Sequence, residues 1–106
     1  MIHVVAEIVL APGGRDRFLG ELRRLAPEVR AEAGCLEYAG AIDLASGLAA
    51  AAPVRPDVVT VVEKWRDVAA LDAHLRAPHM ERYRERVRDL VREVVIRVLT
   101  PAEDRD

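Results

Sequence analysis

Val58 to Tyr83 reads VVTVVEKWRDVAALDAHLRAPHMERY, and the change of period inside it decides the fold. Val58 to Trp65 is dense in β-branched residues, which suit a pleated and half-buried surface, so it is expected to be a strand. Both of its parities carry apolar groups: Val58, Thr60 and Val62 on one, Val59, Val61 and Trp65 on the other. Asp67 then offers a side-chain acceptor for a helix start. Val68, Leu71 and Leu75 follow at intervals of three and four, the spacing of one helix face. Pro78 fits the first turn of a further helix, where its missing N–H has no partner to lose. Met80, Tyr83, Val87, Leu90 and Val91 continue as one apolar stripe. The charges Glu81, Arg84, Glu85 and Arg88 mark a solvated face.

Outward from this stretch, Ile2 to Leu10 has one wholly apolar parity and one mixed parity, which predicts another strand. Ala11-Pro12-Gly13-Gly14 ends it. Phe18, Leu19, Leu22, Leu25, Ala26 and Val29 recur at helical spacing, giving a helix from Arg15 to about Glu32. Pro27 should kink that helix or divide it into two short ones, because proline lacks the donor and crowds the carbonyl four residues back. Gly34 is a natural stop. Cys35 to Asp43 reads as a strand weakened by Gly40. Ala45 to Asp57 is a long connection bounded by Gly47, Pro53 and Pro56, with room for one helical turn at Leu48 to Ala52. It is either a surface loop or an apolar lid over a pocket. Val94 to Leu99 alternates again and makes the last strand.

The expected order is βαββαβ: an α+β, ferredoxin-like, four-stranded antiparallel sheet with helices on one face. Residues 1–100 would form a single domain and residues 101–106 a polar tail. With helices on one face only, the apolar residues on the other face of the strands ask for a cover. A second copy of the chain, as a homodimer through the sheet faces, would supply it.

The 106 residues are 51% hydrophobic and 32% charged, with a net charge of −2. That composition is globular, and no global field favours nucleic acid or an anionic membrane. A single cysteine, Cys35, excludes an intrachain disulfide and a multi-cysteine metal site. Its simplest role is as a small core residue. No leader-like or membrane-spanning run occurs, so a cytoplasmic location is expected. G-x-G-x-x-G, a P-loop and H-E-x-x-H are all missing from the sequence. His74 and His79 lie five apart across a proline, which is not the spacing of a helical metal pair.

Three segments, AEIVLAPGGRDRFLGEL, EAGCLEY and VVEKWRDVAALDAHLRAPHMERY, resemble the antibiotic biosynthesis monooxygenase family in its own order. The most specific part is E-K-W-R-D followed by A-L-D-A-H-L and P-H-M. The resemblance implies a dimeric α/β barrel, in which each ferredoxin-like sheet packs on its twin's and a pocket lies between sheet and helices. It also implies oxygenation of a hydroquinone, an anthrone or a related polyketide-like phenol without metal, haem or flavin, the deprotonated substrate itself reducing O₂. The connection at 45–57 is longer than the family's usual one. Haem-degrading relatives carry a Trp where this chain has His74, which argues against haem cleavage. Two other classes stay open on the sequence: a non-catalytic ligand-binding or dimerisation module, and an isomerase or degradative enzyme on the same fold.

His74, between Leu71 and Leu75, is the candidate general base, since a free imidazole titrates at about pH 6.5. Trp65, Tyr38, Tyr83 and His79 are the candidate substrate-binding residues. Trp65 would stack on an aromatic ring. Glu7 and Glu63, on the first and third strands, are expected to pair with Arg66 or Arg97, as dimer-interface ion pairs in the first instance and as acids or bases in the second.

Overall fold

The computed structural model describes residues 1–103, so residues 104–106 of the expected polar tail lie outside the described residues. Along the chain the elements are β1 (Ile2–Leu10), α1 (Arg15–Arg30), β2 (Cys35–Ala41), β3 (Val58–Trp65), α2 (Val68–Leu75), α3 (Pro78–Val87) and β4 (Val91–Leu99). The strands form one antiparallel sheet in the order β2-β3-β1-β4. This is the expected ferredoxin-like α+β arrangement.

Residues paired directly across strands share a face of the sheet. Ile8 lies opposite Val59, Ala6 opposite Val61 and Val4 opposite Glu63, and Glu63 in turn lies opposite Tyr38. Those residues make up the face covered by the helices, and all seven are buried. From α1, Phe18, Leu22, Leu25, Ala26 and Val29 pack down onto it. Gly40, which looks like a weakness in a strand, gives α1 its close approach. A Cβ there would lie 2.5 Å from Leu22 Cδ2. Gly34 has φ of +83°, and a Cβ on it would meet Ala70 Cβ at 2.6 Å, so the turn into β2 requires glycine twice over.

Pro27 breaks less than expected. α1 is one element from Arg15 to Arg30 and runs through it. The proline stands in the last turn, where one lost hydrogen bond ends a helix that Gly34 is about to end anyway. Pro78 does mark a boundary: α2 stops at Leu75, and Pro78 is the first residue of α3. Asp67 caps α2 by accepting from the Ala70 N–H at 2.8 Å. Val68, in the first turn, is exposed, and the buried positions of α2 are Ala70, Leu71 and His74. β4 starts at Val91 rather than Val94, because Leu90 closes the turn after α3.

Residues 42–57 hold no helix; a single Ala51 N–H to Leu48 C=O contact is what remains of the expected turn. The segment is fastened to the sheet by Arg55, whose guanidinium is gripped by Asp43 and also reaches Glu7 at 3.2 Å. Arg55 is therefore the partner of Glu7, in place of Arg66 or Arg97.

No helix among the described residues covers the opposite face of the sheet. Val5, Val9 and Val95 are half-buried there, and Val62 and Leu99 are 37% and 45% exposed. Glu7, Lys64 and Arg97 stand among them.

Candidate active site

At the β4 side of the sheet the helices stop short. By register Val94, Ile96 and Val98 belong to the covered face, yet each is about half exposed. Between them and α3 lies a cavity of about 420 Å³, within the usual range for a small-ligand site. Ala6, Ile8, Val61, Val94 and Ile96 make its floor, and Leu75, Met80 and Val87 its helical wall. Four groups bring chemistry to this apolar space: Tyr38, Glu63, His74 and Tyr83. Arg84, Glu85 and Arg88 stand at the rim. No residue of the 42–57 segment lines it.

His74 is 2% exposed. Its Nδ1 lies 3.0 Å from Glu32 Oε2, and the same oxygen is 2.6 Å from His79 Nε2. A carboxylate only accepts, so His74 carries its proton on Nδ1 and keeps Nε2 as the basic atom. The Trp65 ring lies against the imidazole, with centroids 4.7 Å apart and planes tilted by 36°. Tyr38 meets the same ring edge-on, with centroids 5.7 Å apart. Burial holds the His74 pKa below the ordinary histidine value, against the pull of Glu32, so the ring is neutral at pH 7.

Glu63 is the other buried polar residue in this part of the fold, at 6% exposure. The Trp65 indole N–H donates to its Oε1 at 2.8 Å. Glu63 thus sits on the helix-covered face, away from the open one, and its partner is an indole rather than Arg66 or Arg97. An even spacing within β3 puts it between Val61 and Trp65 on the same side. Burial pushes its pKa up to about 7, the Trp65 N–H holding it back and the Glu32 charge adding to the rise. Burial also raises the hydroxyls of Tyr38 and Tyr83 well above the usual tyrosine range, so both remain donors at any physiological pH.

Of the five residues singled out in the sequence, His74, Tyr38 and Tyr83 meet at the cavity. Trp65 and His79 stand behind it: Trp65 against His74 and Glu63, His79 on Glu32. Glu32 itself was missed, although it opens the segment EAGCLEY. Its two histidines lie 42 and 47 residues further along, beyond any local pattern. Among the described residues no group of three or more His, Cys, Asp or Glu is placed to hold a metal ion. No helix among them is long and apolar enough to cross a membrane.

An open antiparallel sheet with helices on one face, and a small apolar cavity between them carrying a carboxylate-backed histidine, defines a small-ligand protein of ferredoxin-like class. Residues 1–86 match the model of the family described as antibiotic biosynthesis monooxygenase, and the chain belongs to that family of monooxygenases. It is 39% identical over 103 residues to the Escherichia coli K12 protein named "Probable quinol monooxygenase YgiN", covering 95% of this chain and 98% of that one. Among solved structures, PA3566 from Pseudomonas aeruginosa is similar with a TM-score of 0.77 and 32% identity, over 94% of this chain and 92% of that one. Rv0793 from Mycobacterium tuberculosis has the same TM-score at 28% identity, over 99% and 98%.

Proposed function

We propose that the protein, through residues 1–100, is a cofactor-independent monooxygenase that oxidises a hydroquinone, an anthrone or a related polyketide-like phenol with O₂. The observation that carries this is His74: a neutral imidazole in the wall of an apolar cavity, with Nδ1 committed to Glu32 and Nε2 left to accept a proton. The similarity to a protein named as a quinol monooxygenase supports the substrate class.

A phenol of pKa about 10 is neutral at pH 7, and its anion is the far better electron donor. His74 Nε2 takes the phenolic proton, and Glu32 stabilises the imidazolium that results. The Tyr38 and Tyr83 hydroxyls donate hydrogen bonds to the oxygen where negative charge develops. Trp65 and His79 work through His74, the first by packing on its ring and the second by sharing its carboxylate. The anion gives its electrons to O₂. One oxygen atom enters the product and the other leaves as water, so the substrate supplies all four electrons. Oxygen uptake with a panel of quinols and anthrones, with no added metal or flavin, tests this. Uptake above the rate without protein is expected for at least one, and none for any of them contradicts the proposal.

The open sheet face would be covered by a second copy. Val5, Val9, Val62, Val95 and Leu99 would stand at the centre of that contact, and a stable interface commonly buries about 800 Å² per partner. Sedimentation at micromolar concentration should then give a homodimer; a stable monomer would rule the arrangement out.

A further inference from the structure

We propose that Glu63 is a second catalytic residue of the same cavity, protonating the substrate's peroxide and then removing the hydrogen from the carbon that bears it. This rests on the monooxygenase reading above.

The geometry of Glu63 is costly for a purely structural group. It is 6% exposed, and no cation pairs with it among the described residues. A buried carboxyl without a cation is normally avoided in a fold, where a glutamine would accept the same indole N–H at less expense. It shares the cavity with His74, and one indole positions both, through a 2.8 Å hydrogen bond to Glu63 and a 4.7 Å ring contact to His74. Around it, β1 presents apolar Val4 and β2 presents Tyr38. β3 gives Trp65, α2 gives His74 and α3 gives Tyr83, while Glu32 contributes charge from the turn between α1 and β2. None of these makes ionisation easy except the indole. A carboxyl with a pKa of about 7 divides its time between acid and base at neutral pH, the condition for doing both jobs.

The steps balance without any outside reductant. His74 takes the first proton, and the substrate anion bonds to O₂ at a ring carbon that carries hydrogen, giving a peroxide anion. Glu63 donates its proton to the terminal oxygen, making a hydroperoxide. The resulting carboxylate removes the hydrogen from the same carbon. The C–H electrons become the new C=O bond, the O–O bond breaks, and hydroxide departs. That hydroxide takes the proton held by His74 and leaves as water. Both residues return to their starting states.

The test measures peroxide formed per O₂ consumed, on a quinol or anthrone that the wild-type protein oxidises. Glu63→Gln keeps an acceptor for the Trp65 N–H but has no proton to give. It should lower product formation by on the order of 10²-fold. Peroxide, as the hydroperoxide or as the hydrogen peroxide it eliminates, should rise toward one per O₂. His74→Gln should instead lower uptake and leave that ratio at its wild-type value. In the wild-type protein the ratio should climb between about pH 5.5 and 8.5 as Glu63 loses its proton. This measurement needs no variant and decides the matter if Glu63→Gln fails to fold. Wild-type product yield in Glu63→Gln, or a flat wild-type profile, overturns the role of Glu63 and spares the monooxygenase reading. Absence of wild-type uptake across the panel overturns both.

Discussion

His74→Gln lowers turnover at pH 7 by on the order of 10²–10⁴, the loss typical when a positioned base is removed. Glutamine keeps a side chain of similar reach, so Glu32 and His79 retain their contact and the fold remains. The deficit should narrow as pH rises toward the substrate's own pKa of about 10, because solvent then supplies the anion. In the wild-type protein the acid limb of kcat/KM should fall below the ordinary histidine value. Desolvation depresses the His74 pKa, so the neutral base persists to lower pH than a free imidazole. Initial rates of both proteins across pH check the two statements together. A variant with wild-type turnover at pH 7 removes His74 from the reaction.

Trp65→Ala should destabilise the protein by about 3–5 kcal/mol, the usual range for emptying a buried aromatic site. Trp65 has no exposed surface, and its removal does three things at once. It leaves a cavity under the sheet, takes away the flat surface behind His74, and strips Glu63 of its N–H donor. A buried carboxyl with no partner then adds its own penalty. Against a typical total stability of about 5–15 kcal/mol, the variant should stand close to unfolding at room temperature. Denaturant titration measures it, and a loss under about 1 kcal/mol would mean that the site collapses around the gap.

Much of this arrangement was legible because local periodicity carried it. The switch from period two to period three or four at Asp67 placed β3 and α2, and with them Trp65 and His74. The family resemblance then supplied the connection order. What could not be read depends on contacts between distant elements. Glu32 reaches His74 and His79 only after α1 and α3 have packed beside the sheet. Glu63 was misread because its charge suggested an ion pair at an interface. Its parity with Val59, Val61 and Trp65 already placed it on the apolar side. Pro27 was given the weight of a mid-helix proline, though its position three residues from the end of α1 makes it tolerable. The 42–57 segment offered apolar residues without a pattern. Arg55, an unremarkable charge in sequence, turned out to fix it to Glu7 and Asp43.

The most direct test of the central claim is to supply ¹⁸O₂ to the metal-free, flavin-free protein with a quinol or anthrone and weigh the product. Proton removal by His74 in the cavity, followed by reaction of the substrate anion with oxygen, predicts one labelled atom in each product molecule and one in water. Product formed without label would mean that its oxygen comes from solvent and would contradict oxygenation in this cavity.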